Sequence, residues 1–184
     1  MEQLKDRKQF AKLIDEVGAK VIVEVWVRDG YFSKYLLDNT SVEKLYAVDP
    51  WELNSELMSD PEGIYNICKN NFKPYGERAE MVKGYSPSAA EMFEDESLDF
   101  VYIDGAHDYE SVKNDIDAWY SKLKKGGILA GHDYHLEDWP GVYNSVNEFV
   151  AKHDLELNLT GIVGIDFSDP CHDGAKQSFW FTKK

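Results

Sequence analysis

Acidic and histidine side chains stand directly after two apolar runs in the second half of the chain. One run ends in Asp104, with His107 close behind it, and the other ends in the pair His132 and Asp133. A helical pattern separates the runs, so we expect two neighbouring parallel strands whose carboxyl ends meet at one edge of a sheet. Carboxylates and imidazoles can hold divalent cations and move protons. The sequence therefore predicts a ligand site at this edge.

Two kinds of chemistry are open to these side chains. Asp104, His132 and Asp133 could hold a metal ion: oxygen ligands suit Mg²⁺ or Ca²⁺, and a histidine shifts the preference toward Mn²⁺, Fe²⁺, Ni²⁺ or Zn²⁺. Without a metal, His107 could serve as a general base. Both histidines could also be hydrogen-bonded loop residues with no catalytic role. A divalent cation, Mg²⁺ or Mn²⁺, is thus a cofactor that the pattern leaves open.

Two earlier strand ends carry acids as well. Glu24 closes the predicted strand Val21–Val25, and the segment from Glu24 to Gly30 forms the turn into a helix. Asp49 closes the next predicted strand, where a carboxylate can accept hydrogen bonds from both hydroxyls of a ribose. Acids at successive strand ends therefore indicate an adenosine-type ligand across the edge of the sheet.

The elements that must position these residues are predicted strands and helices, which alternate along the chain. β-Branched and apolar runs predict parallel strands at Val21–Val25, Leu45–Val48, Ala79–Lys83, Leu98–Ile103 and Ile128–Ala130. Helices are predicted from Phe10 to Val17, from Gly30, from Asp60-Pro61, from Ser86 to Phe93, from Asp108 to the Gly126-Gly127 pair, and from Pro140 to Lys152. Three further strands, Leu155–Asn158, Ile162–Asp166 and Ser178–Phe181, have only loops between them, which is typical of an antiparallel edge. The pattern indicates five βα units closed by a hairpin or meander.

Composition and charge narrow the classes of function. With 184 residues, of which 43% are hydrophobic, the chain can bury one sizeable core, so we expect a single domain over residues 1–184. A formal net charge of -14 opposes binding to nucleic acid or to anionic lipid. No apolar run approaches the roughly 18 residues that span a bilayer, and the start of the chain is charged. We expect a cytoplasmic protein with a small-molecule partner. The amphipathic opening segment leaves a homo-oligomer open.

Four segments together resemble a known family. They are Glu24 to Gly30, the run Ala47-Val-Asp49-Pro50, the run Tyr102-Ile-Asp104-Gly-Ala-His107, and the run Gly126-Gly-Ile-Leu-Ala-Gly-His132-Asp133-Tyr134. In this combination the chain resembles a class I S-adenosylmethionine-dependent methyltransferase, and most nearly the small-molecule O-methyltransferases that include macrocin-type sugar and catechol enzymes. The resemblance extends from Val21 to about Phe149. It implies a Rossmann-like three-layer α/β sandwich with a mostly parallel seven-stranded sheet and an antiparallel last strand.

The resemblance also implies roles for individual residues. S-adenosylmethionine would be the cofactor, and a methyl group would pass to a hydroxyl of a small polar acceptor. The residues that it assigns to the cofactor pocket are Glu24, Trp26, Arg28, Gly30, Asp49, Pro50, Trp51, Ser86 and Asp104. Among them, Asp49 would bind the ribose hydroxyls, Ser86 would lie near the adenine, and Asp104 would face the methyl-donor centre. Metal-dependent members have an Asp followed by an Asp-Asp or Asp-Asn pair, so His132 is a departure from their pattern.

Trp26 is a second departure, because the family usually has glycine at this position. Glycine allows a left-handed backbone and a close approach of the main chain to the ligand. The indole either swings aside into the packing of sheet and helix or fills the pocket. In the second case the chain would be a catalytically silent binding module of the same fold. A nicotinamide dehydrogenase is a third interpretation, weakened because no Gly-x-Gly-x-x-Gly motif follows the first strand.

Overall fold

A computed structural model describes residues 3–52, 60–162, 168–169, 171 and 176–184. Within these ranges the strands are β1 (Val21–Val25), β2 (Lys44–Asp49), β3 (Ala79–Lys83), β4 (Leu98–Ile103), β5 (Leu123–Tyr134), β6 (Asn158–Leu159) and β7 (Gln177–Thr182). The α-helices are α1 (Phe10–Glu16), α2 (Tyr31–Asn39), α3 (Pro61–Phe72), α4 (Ser86–Ala90), α5 (Tyr109–Lys122) and α6 (Pro140–Lys152). Short 3-10 helices cover Arg7–Gln9 and Lys73–Arg78. None of the described helices combines the length and the apolar character needed to cross a membrane.

The described strands form one sheet in the order β3-β2-β1-β4-β5-β7-β6. Strands β1 to β5 pair in parallel, whereas β7 pairs antiparallel with both β5 and β6. The chain order reverses between β1 and β4, and in open α/β sheets ligands bind at the carboxyl edge beside such a reversal. The sequence-based prediction of a mostly parallel seven-stranded sheet with an antiparallel last strand is therefore confirmed.

Two apolar layers cover the faces of the sheet. One face packs against α1, α2 and α3, with Phe10, Phe32 and Tyr102 buried among them. The other face packs against α4, α5 and α6, with Trp119 and Phe179 at its centre. Because both faces are covered, the central strands can be apolar almost throughout. The result is the expected three-layer sandwich, with only the ends of the strands free to present polar groups.

Helices α3 and α5 begin after their predicted N-cap residues. The Asp60 side chain accepts a hydrogen bond from the Gly63 amide at 2.9 Å, and Asp108 accepts one from the Ser111 amide at 3.0 Å. These bonds satisfy amides that have no partner within the helix. Ser86 differs, because α4 has no side-chain cap and ends at Ala90 rather than at Phe93.

The boundary between α5 and β5 lies upstream of its predicted position. The helix ends at Lys122, and Gly126 and Gly127 lie inside β5 instead of terminating the helix. A β-carbon on Gly127 would stand 2.9 Å from the Lys124 carbonyl oxygen, and Gly126 has a φ of +79°. The glycines thus accommodate a shift in register between β4 and β5.

The last three predicted strands agree with the structure to different extents. Strand β6 contains only Asn158 and Leu159, so most of the predicted strand Leu155–Asn158 is not in the sheet. Most of the predicted strand Ile162–Asp166 lies outside the described residues, and Ile162 itself is exposed. Strand β7 agrees with the prediction and extends it by one residue at each end.

Candidate active site

A cavity of about 560 Å³ opens at the carboxyl ends of the central strands. Its volume falls within the range of small-molecule and cofactor sites. Six of the residues predicted for a cofactor pocket line it together: Glu24, Trp26, Arg28, Asp49, Pro50 and Asp104. Asp104, His107 and Asp133 line the same cavity from the ends of β4 and β5. The predicted convergence of acids from separate strands is therefore present in the structure.

Asp49 organises the turns after β1 and β2. One carboxylate oxygen accepts a hydrogen bond from the Arg28 amide at 2.9 Å, and the other accepts one from the Trp51 amide at 2.7 Å. Arg28 and Trp51 both have positive φ values, 58° and 42°, a backbone conformation that residues other than glycine rarely adopt. Burial raises the pKa of Asp49, and the two backbone hydrogen bonds oppose that shift. Each oxygen keeps a second lone pair, so the carboxylate can still accept from a ligand hydroxyl.

Glu24 lies deepest of the predicted acids. It is almost fully buried and accepts a hydrogen bond from the Ser33 hydroxyl of α2. Burial raises the pKa of Glu24 to about 8, and the hydrogen bond from Ser33 and the charge of Arg7 offset this only in part. A buried carboxyl with so few donors is mostly protonated at neutral pH, so it can donate a hydrogen bond as well as accept one.

The indole of Trp26 lies to one side of the cavity and forms part of its wall. The residue adopts a φ of 67°, the left-handed conformation for which glycine is favoured. Its indole nitrogen donates to the Asp115 carboxylate of α5 at 3.1 Å, and its ring meets the Tyr85 ring edge-on at 6.4 Å. The structure thus places the side chain against α5, which is the first of the two arrangements expected from the sequence.

Three residues assigned to the pocket support its wall from behind and do not line it. Gly30 packs so closely on α3 that a β-carbon would stand 2.8 Å from the Cys68 sulfur. Trp51 is buried and donates from its indole nitrogen to the Arg28 carbonyl oxygen at 2.8 Å. Ser86 is buried as well, and its hydroxyl accepts from the Trp119 indole at 2.9 Å. The structure gives these three residues packing contacts and hydrogen bonds within the protein, and their direct contact with a cofactor stays a prediction.

Asp104, His132 and Asp133 form a compact group of possible metal ligands. One ligand atom from each lies within 4.8 Å of the others. His132 Nδ1 stands 3.2 Å from an Asp133 oxygen and 3.8 Å from an Asp104 oxygen. One imidazole and two carboxylates make a mixed nitrogen and oxygen donor set, which fits Mn²⁺, Fe²⁺ or Zn²⁺ and tolerates Mg²⁺ less well.

Electrostatics keep Asp133 charged. Burial alone would raise its pKa, but hydrogen bonds from His107 and His132 lower it well below the ordinary range. Burial alone would lower the pKa of His132, whereas Asp104 and Asp133 raise it overall. The cluster thus offers an ionised carboxylate flanked by imidazoles, a combination that suits cation binding or proton transfer.

His107 is held at the cavity by two contacts. Its Nε2 is hydrogen bonded to Asp133 at 2.9 Å, and its ring stacks on Trp139 at a centroid distance of 3.9 Å. An imidazole oriented by a carboxylate is a common arrangement for a general base. The structure therefore places the predicted base beside the predicted metal ligands.

Arg7 is a site residue that the sequence analysis missed. It belongs to the 3-10 helix before α1, and its guanidinium donates to the Asp104 carboxylate at 3.0 Å. It also donates to the Cys171 carbonyl oxygen at 3.1 Å and lies over the Phe32 ring. Asp104 is distant in sequence, so no local pattern around Arg7 indicates this contact.

Comparison with known proteins shows which family the chain matches. Residues 23–134 match the protein family described as Methyltransferase domain. An uncharacterized protein of Acanthamoeba polyphaga mimivirus is 28% identical over 137 residues, which covers 70% of this chain and 58% of that protein. An uncharacterized protein of Sinorhizobium fredii is 24% identical over 130 residues, covering 68% of this chain and 14% of that protein. The chain therefore spans less than two thirds of the length of either relative.

Solved structures share the fold at low sequence identity. An O-methyltransferase from Bacillus cereus in complex with SAH has a TM-score of 0.71 and 17% identity, covering 96% of this chain and 80% of that one. An rRNA methylase from Streptococcus thermophilus has a TM-score of 0.65 and 14% identity, covering 95% and 94%. The family match covers more than half of the chain, from within β1 to the end of β5. The chain belongs to the methyltransferase-domain family, which confirms its resemblance to the class I S-adenosylmethionine-dependent methyltransferases.

Proposed function

We propose that this protein transfers a methyl group from S-adenosylmethionine to a hydroxyl of a small polar acceptor, with assistance from a divalent cation. The observation that carries the proposal is the convergence of Asp49, Asp104, His107 and Asp133 on one cavity in a methyltransferase-family fold. Acids at the ends of β2 and β4 lie where nucleoside ligands bind in open α/β sheets. The SAH complex of the Bacillus cereus O-methyltransferase, which shares the fold, is consistent with this choice of cofactor.

The cofactor part of the cavity would be formed by the turns after β1 and β2. Asp49 retains lone pairs that can accept from ribose hydroxyls while its bonds to the Arg28 and Trp51 amides hold both turns. Glu24, protonated at neutral pH, would present a neutral hydrogen-bonding group beneath the methionine portion. When bound, S-adenosylmethionine supplies an electrophilic methyl carbon to the oxygen of the acceptor.

The acceptor part would lie beside Asp104, His107 and Asp133. A divalent ion held by Asp104, His132 and Asp133 would supply Lewis acidity that lowers the pKa of an acceptor hydroxyl. Mn²⁺ fits this donor set better than Mg²⁺ because one ligand is an imidazole. His107, oriented by Asp133 and stacked on Trp139, would accept the proton that the hydroxyl loses.

A second candidate is a catalytically silent module of the same fold. Two observations favour it: Trp26 stands where the family usually has glycine, and the Arg7 guanidinium already pairs with Asp104. In this case the cavity would not accept the cofactor, and the protein would act through binding or assembly. Cofactor affinity separates the two candidates directly.

Calorimetric titration with S-adenosylhomocysteine tests the proposal. We expect the protein to bind it, and Asp49→Asn to weaken binding by about tenfold because the amide nitrogen cannot accept from the turn amides or from a hydroxyl. The matched control is Asp95→Asn, an exposed acid just before β4 that pairs with Lys122, and it should bind as the parent protein does. Absence of binding by the parent protein would contradict the proposed activity and favour the silent module.

Chelation tests the role of the metal. With a hydroxyl acceptor identified by screening, turnover should fall on treatment with a chelator and return on addition of Mn²⁺. Asp133→Asn should reduce both Mn²⁺ binding and turnover. Full activity after exhaustive chelation would leave His107 as the base in a metal-free reaction.

A further inference from the structure

Trp26 occupies its place in the wall under unusual constraints. Its backbone amide donates to the Val48 carbonyl oxygen at 2.8 Å, which fixes the main chain between β1 and β2. Its positive φ is costly for a residue with a large side chain. With the main chain fixed at the mouth of the cavity, the direction of the side chain decides whether the indole lies beside the cavity or inside it.

Asp115 determines that direction through a hydrogen bond. It lies in α5, is only 3% exposed, and accepts from the Trp26 indole nitrogen at 3.1 Å. The Ser86 hydroxyl also hydrogen bonds to Asp115 and itself accepts from the Trp119 indole. A carboxylate inside an apolar layer needs such donors, because burying it without partners is strongly unfavourable. The hydrogen bond from the Trp26 indole offsets part of the free-energy cost of burying Asp115.

Gly105 provides the surface on which the indole rests. A β-carbon at this position would stand 2.0 Å from Trp26 Cδ1 and 2.3 Å from its indole nitrogen. Gly105 is not among the residues with positive φ, so its backbone does not require glycine. The space taken by the Trp26 ring is therefore the reason that a larger residue cannot stand at this position.

We propose that Asp115 and Gly105 together hold the Trp26 indole against α5 and so keep the cofactor part of the cavity accessible. Asp115 is then a positioning residue for cofactor binding, although it does not line the cavity. This inference rests on the proposed function, because it concerns the affinity for S-adenosylmethionine and its product. It explains how a family member with tryptophan at this turn can retain a cavity there.

A double-mutant cycle on cofactor affinity tests the inference. Asp115→Leu replaces the acceptor with an apolar side chain, and we expect it to weaken S-adenosylhomocysteine binding by about tenfold or more in calorimetry. Asp115→Asn keeps an acceptor oxygen and should retain nearly full affinity. In a Trp26→Gly background, Asp115→Leu should have no effect on affinity, since no indole remains to be held. Circular dichroism and thermal unfolding verify that each variant folds.

Gly105→Ala gives a second test of the inference, which remains valid if Asp115→Leu does not fold. The added methyl group would push the indole off its surface and should also weaken binding by about tenfold, and Trp26→Gly should restore it.

Equal affinities for the parent protein and Asp115→Leu would overturn the inference and leave the proposed function standing. Much tighter binding by Trp26→Gly than by the parent would also overturn it, because the indole would then be an obstruction. Absence of binding by all variants would remove the proposed function together with the inference.

Discussion

At the scale of single residues, Glu24 and Asp133 lie at the same edge of the sheet and have opposite electrostatic character. Glu24 is buried with one hydroxyl donor, so desolvation dominates and its pKa rises. Asp133 is partly buried, but hydrogen bonds from two histidines overcome the desolvation and lower its pKa. The number and charge of the donors therefore decide which acid is ionised. Of these two, the acid beside the histidines is the one available to a cation.

Replacement of Glu24 should change the pH dependence of stability. The folded-state pKa of about 8 lies above the ordinary value of 4.5, so between these values the folded protein binds more protons than the unfolded chain. The free energy of unfolding should therefore fall as pH rises, by up to about 1.4 kcal/mol per pH unit from this group. Glu24→Gln should lack this slope in urea denaturation across that interval. The exposed Glu91→Gln is the control, and parallel profiles for Glu24→Gln and the parent would contradict the assignment.

Replacement of Arg7 should strengthen metal binding. Its guanidinium donates to an Asp104 oxygen at 3.0 Å and would repel a divalent ion that shares this carboxylate. We expect Arg7→Gln to bind Mn²⁺ about tenfold more tightly in calorimetry or electron paramagnetic resonance. Lys12→Gln, which removes an exposed lysine of the neighbouring α1, should leave the affinity unchanged. Weaker binding by Arg7→Gln would mean that the arginine orders Asp104 instead of competing for it.

At the scale of elements, short sequence patterns predicted the strand and helix bounds that depend only on neighbouring residues. The bounds of β1, β3 and α6 agree with the sequence because β-branched runs and a helix-initiating proline act over a few residues. The predicted α5–β5 boundary was wrong because its glycines accommodate a register shift against β4 and do not end the helix. Arg7 and Asp115 were missed because their partners lie 97 and 89 residues away in sequence. The acids of the site were predictable because each lies at or next to the carboxyl end of a strand.

The glycine pair in β5 gives a test at this scale. Gly127→Ala would place a β-carbon 2.9 Å from the Lys124 carbonyl oxygen and 3.1 Å from that of Asp99. Both contacts are with backbone, so the strands must shift, and we expect a loss of about 1 to 3 kcal/mol in the free energy of unfolding. Gly84→Ala is the matched control, since its nearest neighbour would be the Ala89 β-carbon at 3.6 Å. Equal urea midpoints for both variants would show that β4 and β5 accommodate the methyl group.

At the scale of the whole molecule, the segment before α1 contacts residues that come late in the chain: Gly161, Asp169 and Cys171. The Gly161 amide donates to the Leu4 carbonyl oxygen at 2.7 Å, and Lys8 pairs with Asp169. Arg7 completes this contact by bridging the Cys171 carbonyl oxygen and Asp104. The segment before α1 is thus attached to the loop before β7 and reaches the candidate metal ligands. A change in the segment before α1 should therefore affect Asp104, at the cavity, through Arg7.

The net charge of -14 predicts a salt dependence of stability for the molecule as a whole. Like charges on a compact surface repel one another, and salt screens this repulsion. Raising sodium chloride from about 10 mM to about 150 mM should raise the melting temperature by a few degrees in calorimetry, since the Debye length shortens from about 30 Å to about 8 Å. A lower melting temperature would show that attractive surface ion pairs outweigh the repulsion.

The backbone of Asp133 has a consequence for how this chain could change over generations. Its φ of 59° is one that glycine would adopt with less strain, so the carboxylate is kept at some expense in thermal resistance. Laboratory selection for heat tolerance alone should therefore favour glycine at this position only to the extent that relief of the strain exceeds the loss of the hydrogen bonds from His107 and His132. Selection that also demands catalysis should keep the acid and find its heat tolerance elsewhere.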